Sequence, residues 1–158
     1  MTAETPATRA VQERGIGAQV VRTQPAHSAE ESASMQGIEL GALLRTIVVR
    51  RGENDYVFVL VPAGRRFDWP KLRAHLGVRR LSLPDADEAH GATGYERGAI
   101  TPFGASTAWP VIVDEAAMNQ SLVAIGGGAH GVNLHLAPGE LVSALEAAVV
   151  DVSAPEPS

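Results

Sequence analysis

The sequence predicts an α/β fold of the α+β type, in which helices pack on a mixed, largely antiparallel sheet. Short β-branched, apolar segments outnumber segments with helical periodicity. Several of these segments follow one another across short glycine-containing connections, which is typical of hairpins. The chain has 158 residues, of which 45% are hydrophobic and 20% charged. This composition is sufficient for one domain with its own core.

The ends of the chain are expected to lie outside that domain. The first residues are rich in Thr, Ala and Pro, and residues 1–12 are therefore predicted to form a flexible N-terminus. Thr8 can nevertheless cap a short helix that ends at Arg14. The predicted domain spans residues 13–152, and a disordered tail follows over residues 153–158.

The first half of the domain is predicted to alternate between strands and capped helices. Ser28 is a good N-cap, and acidic residues follow it in the first turn, where the helix dipole favours anions. Asp68 caps a second helix in the same way. The predicted elements are a strand at Ala18–Thr23, a helix from Ser28 to Met35, a hairpin of Leu44–Arg50 with Tyr56–Pro62, and a helix to Leu76.

The second half of the domain contains a glycine-rich loop. Gly91–Gly104 carries four glycines and a proline, a composition that presents backbone rather than side chains. The other predicted elements are short strands at Val78–Leu83, Val111–Asp114, Leu122–Ile125 and Val132–Leu136, a helical turn at Pro84–Ala89, and an amphipathic closing helix at Gly139–Val150.

Composition excludes several classes of protein. The net charge of −5 argues against a protein that coats nucleic acid. The chain has no cysteine, so disulfides and cysteine-based zinc sites are excluded. His130 and His135 are expected on opposite faces of a strand, which disfavours a shared metal site. The sequence shows no membrane span or secretory signal, so a cytoplasmic protein without cofactor is expected.

Three segments of the sequence stand out together by their order and spacing. They are Gly37–Arg50 (GIELGALLRTIVVR), Gly94–Gly104 (GYERGAITPFG), and Val111–Asp114 followed by Ala124–Gly131 and Leu136–Leu141. In this order and spacing they resemble the YbaK/EbsC family, also called the prolyl-tRNA synthetase-associated domain. The resemblance covers roughly residues 15–150.

The resemblance implies an aminoacyl-tRNA deacylase that hydrolyses the ester of a mischarged tRNA in trans. The implied substrates carry a small amino acid such as Ala, Cys, Ser or Pro. A synthetase discriminates poorly against such side chains, because one methylene is worth only about 1–3 kcal/mol. The implied partners are the aminoacylated 3′ end of tRNA and an aminoacyl-tRNA synthetase. Monomer and homodimer both remain open.

The same resemblance assigns Arg45, Gly98 and Gly128 to catalysis. Backbone N–H groups of two glycine segments would stabilise the oxyanion, and the tRNA ribose hydroxyl would assist the attacking water. Arg45 stands where the family has a lysine. The alternative interpretation is that Arg45 is a solvent-facing strand residue with no role in the site. The substitution keeps the charge but not the compact ammonium group. A tRNA- or synthetase-binding module that has lost hydrolysis is therefore an alternative, and a pocket protein for free amino acids or nucleotides is a third.

Seven further residues are expected to bind substrate. Several also have structural readings: Asp114 can cap a strand end, His130 can be an exposed loop residue, and Gly or Pro can simply mark a turn. Thr46 is expected on the face of its strand opposite Arg45, in a structural role. The seven residues are Tyr95, Thr101, Pro102, Asp114, Gly126, Gly127 and His130.

Overall fold

A computed structural model describes residues 4–156 of the chain. It contains two 3₁₀ turns, at Leu40–Ala42 and Glu115–Asn119. The helices are α1 (Pro6–Glu13), α2 (Ala29–Gln36), α3 (Trp69–Leu76), α4 (Ala86–Thr93) and α5 (Pro138–Leu145). The strands are β1 (Gln19–Arg22), β2 (Leu44–Gly52), β3 (Asp55–Pro62), β4 (Arg65–Phe67), β5 (Val111–Asp114), β6 (Val123–Gly126), β7 (Val132–Leu136), β8 (Ala148–Val150) and β9 (Ser153–Pro155).

The strands form three small sheets, which confirm the predicted α+β architecture. The largest has the order β2-β3-β5-β8, with an antiparallel β2–β3 pair followed by two parallel pairs. The sheets β1-β7-β6 and β4-β9 are antiparallel throughout. Among the described helices, none combines the length and apolar character needed to cross a bilayer.

Alternation along β2 divides its side chains between two cores. Leu44 and Val48 belong to the core beneath α5, which also contains Phe58 of β3. Val49, with Ile47 packed beside it, belongs to the core covered by α3. Since successive side chains of a strand point to opposite faces, Thr46 shares the face of the first core and Arg45 that of the second.

The outer edge of β2 is bridged at its two ends and open between them. Leu43 bridges to Ala124 of β6, and Arg50 exchanges two backbone hydrogen bonds with Ser82, at 2.8 and 3.1 Å. The direction of hydrogen bonding alternates along an antiparallel strand. The N–H and C=O groups of Thr46 and Val48 therefore point away from β3, into the gap between the two bridges.

The predicted helix starts are largely confirmed because they depend on local chemistry. The Ser28 side chain accepts from the Glu31 N–H at 3.0 Å, and α2 ends at the left-handed Gly37 with φ +70°. The Asp68 side chain accepts from the Lys71 N–H at 3.1 Å, as expected of an N-cap. The β2–β3 hairpin is also confirmed.

Within residues 1–12, which were predicted to be flexible, helix α1 begins at Pro6, while Met1–Ala3 lie outside the described residues. Helix α1 is capped by Thr5 rather than Thr8, and the two threonines form a reciprocal capping box. Val11, which is 2% exposed, buries the inner face of α1 in the core. This apolar contact holds the segment in place.

Two predicted elements in the second half of the chain are wrong, and part of the C-terminal tail has regular structure. Val78–Leu83 forms only the bridge at Ser82, and the closing helix ends at Leu145, after which Ala148–Val150 pairs with β5. The tail that was expected to be disordered contributes β9, which pairs with β4 as far as Pro155. Residues 157–158 lie outside the described part of the chain.

Asp114 anchors the C-terminal segment to the central sheet. Its carboxylate, only 1% exposed, accepts from the Val152 N–H at 2.9 Å and from the Ser153 hydroxyl at 2.8 Å. It also accepts from the Ala116 N–H at 3.2 Å. A buried carboxylate is stable only with such partners. Asp114 therefore has a structural role at the strand end.

We expect Ser153→Ala to lower the free energy of unfolding by about 1–3 kcal/mol, because it removes one donor from a buried carboxylate. Urea unfolding of the purified variant measures this loss. Ser121→Ala, at an exposed position, is the matched control and should change stability little. Equal stability of the two variants would contradict the anchoring role.

Candidate active site

Two cavities adjoin each other, and the larger one lies along the gap in the β2 edge. The larger has a volume of about 510 Å³ and the smaller about 210 Å³. Both are lined by Ser32, Gly98, Gly126 and Asn133, so these four residues mark the place where the cavities meet.

The larger cavity is mainly apolar with a few polar groups at its wall. One wall is β2, and another is the start of α4 together with the segment that precedes it. Its apolar lining comes from Leu43, Leu44, Ile47, Val48, Leu83, Pro84, Ala86, Ala89 and Ile100. An apolar site with a small number of polar groups is typical of a ligand-binding cleft.

Helix α4 is held against the β2–β3 hairpin by one carboxylate. Glu88 accepts a hydrogen bond from the Tyr56 hydroxyl at 2.5 Å and pairs with Arg50 at 3.0 Å. The hydrogen bond to Glu88 raises the pKa of Tyr56, so the phenol stays protonated and remains the donor. Because Tyr56 lies on β3 and Arg50 on β2, Glu88 fixes the α4 wall of the larger cavity to both strands.

Gly98 is confined by both its backbone conformation and its neighbours. Its φ of +89° favours glycine, and a Cβ there would lie 2.9 Å from the His130 Cε1 atom. Within the described residues, Gly98 and Ile100 make no hydrogen bond, and both line the larger cavity. Their N–H groups therefore have no hydrogen-bond partner among the described residues.

Arg45 lines the larger cavity, but its guanidinium is tethered to β4. Its Nη2 donates to the Arg65 carbonyl at 2.7 Å, on the side of the sheet that α3 covers. Thr46, which the sequence had suggested to be structural, also lines this cavity. Its Oγ1 is buried without a hydrogen-bond partner among the described residues.

The glycines of the second segment have different roles. Gly126 lines both cavities, whereas Gly127 and Gly128 line neither. A Cβ at Gly127 would lie 2.7 Å from Val132 Cγ1, and one at Gly128, with φ +94°, would lie 2.8 Å from Tyr95 Cε1. Close packing therefore explains why both positions are occupied by glycine. The structure does not bring Gly128, which was predicted to be catalytic, to the cavities.

Four other candidates lie away from the cavities. Tyr95 is 4% exposed and its hydroxyl donates to the Phe103 carbonyl at 2.7 Å, so it has no free face on which a base could stack. Thr101 is fully buried, and its hydroxyl has no partner among the described residues. Pro102 is buried beside it, and Asp114 has the anchoring contacts given above.

The two histidines lie apart, although not on opposite faces of one strand as predicted, because His130 lies in the turn before β7 and only His135 is on the strand. His130 is exposed and lines the smaller cavity. His135 is 7% exposed, and burial lowers its pKa. In the described part of the chain, no three His, Asp or Glu side chains group in a way that could hold a metal ion.

Several cavity residues were not identified from the sequence, among them three with polar side chains. Ser32 and Asn133 are ordinary polar residues of a helix and a strand, and only the fold brings them together. Arg97 lines the larger cavity, is exposed, and has no partner among residues 4–156. Its position next to Gly98 in the glycine-rich loop was a signal that could have revealed it.

A model of the aminoacyl-tRNA editing domain family matches residues 23–144. The chain belongs to this family. The resemblance seen in the sequence is thus confirmed, and so, at the level of the family, is the expected class of enzyme, an aminoacyl-tRNA deacylase.

Individual relatives of this editing domain agree with the assignment. A protein of Enterococcus faecalis named "Putative Cys-tRNA(Pro)/Cys-tRNA(Cys) deacylase EbsC" is 26% identical over 82% of this chain and 79% of its own length. A proline–tRNA ligase of Thermosipho melanesiensis is 26% identical over 75% of this chain, which spans only 21% of the ligase.

A solved structure described as "a putative trans-editing enzyme for prolyl tRNA synthetase" superposes with a TM-score of 0.88. It is 27% identical, and the match covers 96% of this editing domain and 99% of that chain. The fold described above is therefore that of the family.

Burial raises the pKa of Tyr95 from 10.0 to about 12. The folded editing domain therefore binds this proton more tightly than the unfolded chain. We expect its free energy of unfolding to fall as the pH rises from about 10 to about 12. Urea unfolding across this interval measures the fall. Tyr95→Phe should be less stable at neutral pH and less sensitive to pH, and an unchanged pH dependence would contradict this assignment.

Proposed function

We propose that this editing domain hydrolyses, in trans, the ester that joins a small amino acid to the 3′ end of a mischarged tRNA. The observation that carries the proposal is the glycine-rich loop at the cavities, where the N–H groups of Gly98, at the junction, and Ile100, on the wall of the larger cavity, have no partner among the described residues. Such groups, directed at a developing oxyanion, are each worth about 10²–10³ in rate.

The reaction needs little side-chain chemistry. Water attacks the ester carbonyl with assistance from the tRNA ribose hydroxyl, and the carbonyl oxygen becomes an oxyanion that backbone N–H groups stabilise. The bond between the carbonyl carbon and the ribose oxygen then breaks, and that oxygen takes a proton. Arg45 orients the substrate through guanidinium N–H groups that are not used by the Arg65 carbonyl.

The proposed partners are the aminoacylated tRNA end and an aminoacyl-tRNA synthetase that releases it, and the cytoplasm is the proposed compartment. The similarity to proline–tRNA ligases supports a synthetase as partner. Incubation with tRNA charged with alanine, cysteine, serine or proline tests the activity. Loss of the ester above background supports the enzyme. Retention of tRNA without hydrolysis supports a binding module, and indifference to tRNA supports a pocket protein for small molecules.

We expect Gly98→Ala to reduce deacylation at least about tenfold, because a Cβ at φ +89° displaces the loop and collides with His130. Single-turnover rates with the best substrate of that panel measure the effect. Gly139→Ala is the control, since a Cβ there has no neighbour within 4 Å. Full activity of Gly98→Ala would remove the glycine-rich loop from the site.

We expect Arg97 to bind the 5′-phosphate of the terminal adenosine, because it is an exposed cation on the cavity wall without a partner among the described residues. Arg97→Gln should raise KM about fivefold for an aminoacylated adenosine 5′-monophosphate. KM for the same ester of adenosine, which lacks the phosphate, should not change.

The control for this comparison is Arg66→Gln, which removes an exposed arginine that lines neither cavity. It should leave both KM values unchanged. An equal rise in KM for the two esters in Arg97→Gln would contradict a phosphate contact.

A further inference from the structure

Ser32 lies at the junction of the two cavities and carries a hydroxyl group. Of the four residues that line both, only Ser32 and Asn133 carry polar side chains. The Asn133 Nδ2 donates to the Val21 carbonyl at 3.3 Å. Ser32 is half-buried on α2, and its contacts determine what its hydroxyl can offer to a bound molecule.

A chain of hydrogen bonds holds that hydroxyl. The Gln36 Nε2 donates to Ser32 Oγ at 2.9 Å, and the Gln36 Oε1 lies 2.8 Å from His135 Nε2, from which it accepts. Burial lowers the pKa of His135, so the ring is neutral and its single N–H is used here. In this arrangement Ser32 Oγ accepts from Gln36, and its own hydrogen remains free to be donated.

The sizes and linings of the cavities indicate which part of an aminoacyl-adenosine each would hold. The larger volume, about 510 Å³, lies within the range of about 300–1,000 Å³ typical of ligand sites, and its apolar lining suits an adenosine. The smaller, about 210 Å³, lies below that range and suits an aminoacyl group. Its wall includes polar residues such as Thr23, Gln24 and Ser28.

We propose that Ser32 is a specificity-determining residue that donates a hydrogen bond to a hydroxyl or thiol on the side chain of the aminoacyl group. Gln36 and His135 act as positioning residues. This inference rests on the proposed function, because it assumes that the ester bond lies at the junction. It implies a preference for small polar amino acids over alanine.

The test compares seryl-tRNA with alanyl-tRNA as substrates. Ser32→Ala should lower the ratio of their kcat/KM values about fivefold, because one neutral hydrogen bond is lost with the seryl ester only. Ser34→Ala, an exposed serine on the same helix that lines neither cavity, is the control and should leave the ratio unchanged. A loss that is equal for both esters would overturn the assignment.

Gln36→Glu tests the positioning role with almost no change in shape. A carboxylate accepts from both Ser32 and His135, so the Ser32 hydrogen would no longer be free. The ratio should then fall as it does in Ser32→Ala, while activity towards the alanyl ester remains. An unchanged ratio would overturn the role of Gln36 in directing the Ser32 hydroxyl.

Binding separates failure of this inference from failure of the proposed function. If the unaltered protein hydrolyses none of the four aminoacyl-tRNAs of the panel, the proposed function fails, and calorimetry with the stable 3′-seryl and 3′-alanyl amides of 3′-amino-3′-deoxyadenosine still tests Ser32. The unaltered protein should bind the seryl amide more tightly, and Ser32→Ala should remove that difference. Equal binding of the two amides by the unaltered protein would overturn the inference.

Discussion

The open edge of β2 is the constraint around which the cavities are built. Its backbone is bridged at Leu43 and at Arg50, and the groups of Thr46 and Val48 between these points face outward without a strand partner among the described residues. Unpaired backbone groups away from water are costly. The gap therefore has to stay accessible to water or to a ligand, and the surrounding walls keep it open without filling it.

Local chemistry made part of the fold predictable. The caps at Ser28 and Asp68 and the β2–β3 hairpin depend on residues close together in the chain, so the sequence pattern was enough. The C-terminal segment was not predictable in this way. Ala148–Val150 continues a helical pattern and becomes a strand only because β5 offers it an edge, and Ser153 is held by Asp114, 39 residues away in the chain.

The same distinction applies to the site. Arg45, Gly98, Gly126 and His130 were predicted and do line the cavities. Gly127 and Gly128 look like Gly98 and Gly126 in the sequence. They differ in the folded chain, where neighbouring side chains pack closely against Gly127 and Gly128 and keep both away from the cavities. Ser32 could not be recognised, because its position at the junction depends on how α2 lies against β6 and β7. A polar residue on a helix gives no such information by itself.

Helix α1 contacts both glycine segments that bound the cavities. The Thr5 hydroxyl donates to the Gly127 carbonyl, and the Pro6 carbonyl lies 2.4 Å from where a Cβ of Gly104 would stand. Thr5 and Pro6 precede residues 23–144, which the family model matches, whereas Gly104 and Gly127 lie within them. Gly104 and Gly127 line neither cavity, but they belong to the same segments as Gly98 and Gly126, which do. A change in the first turn of α1 would therefore reach the cavities through the backbone of these segments, without any contact with the substrate.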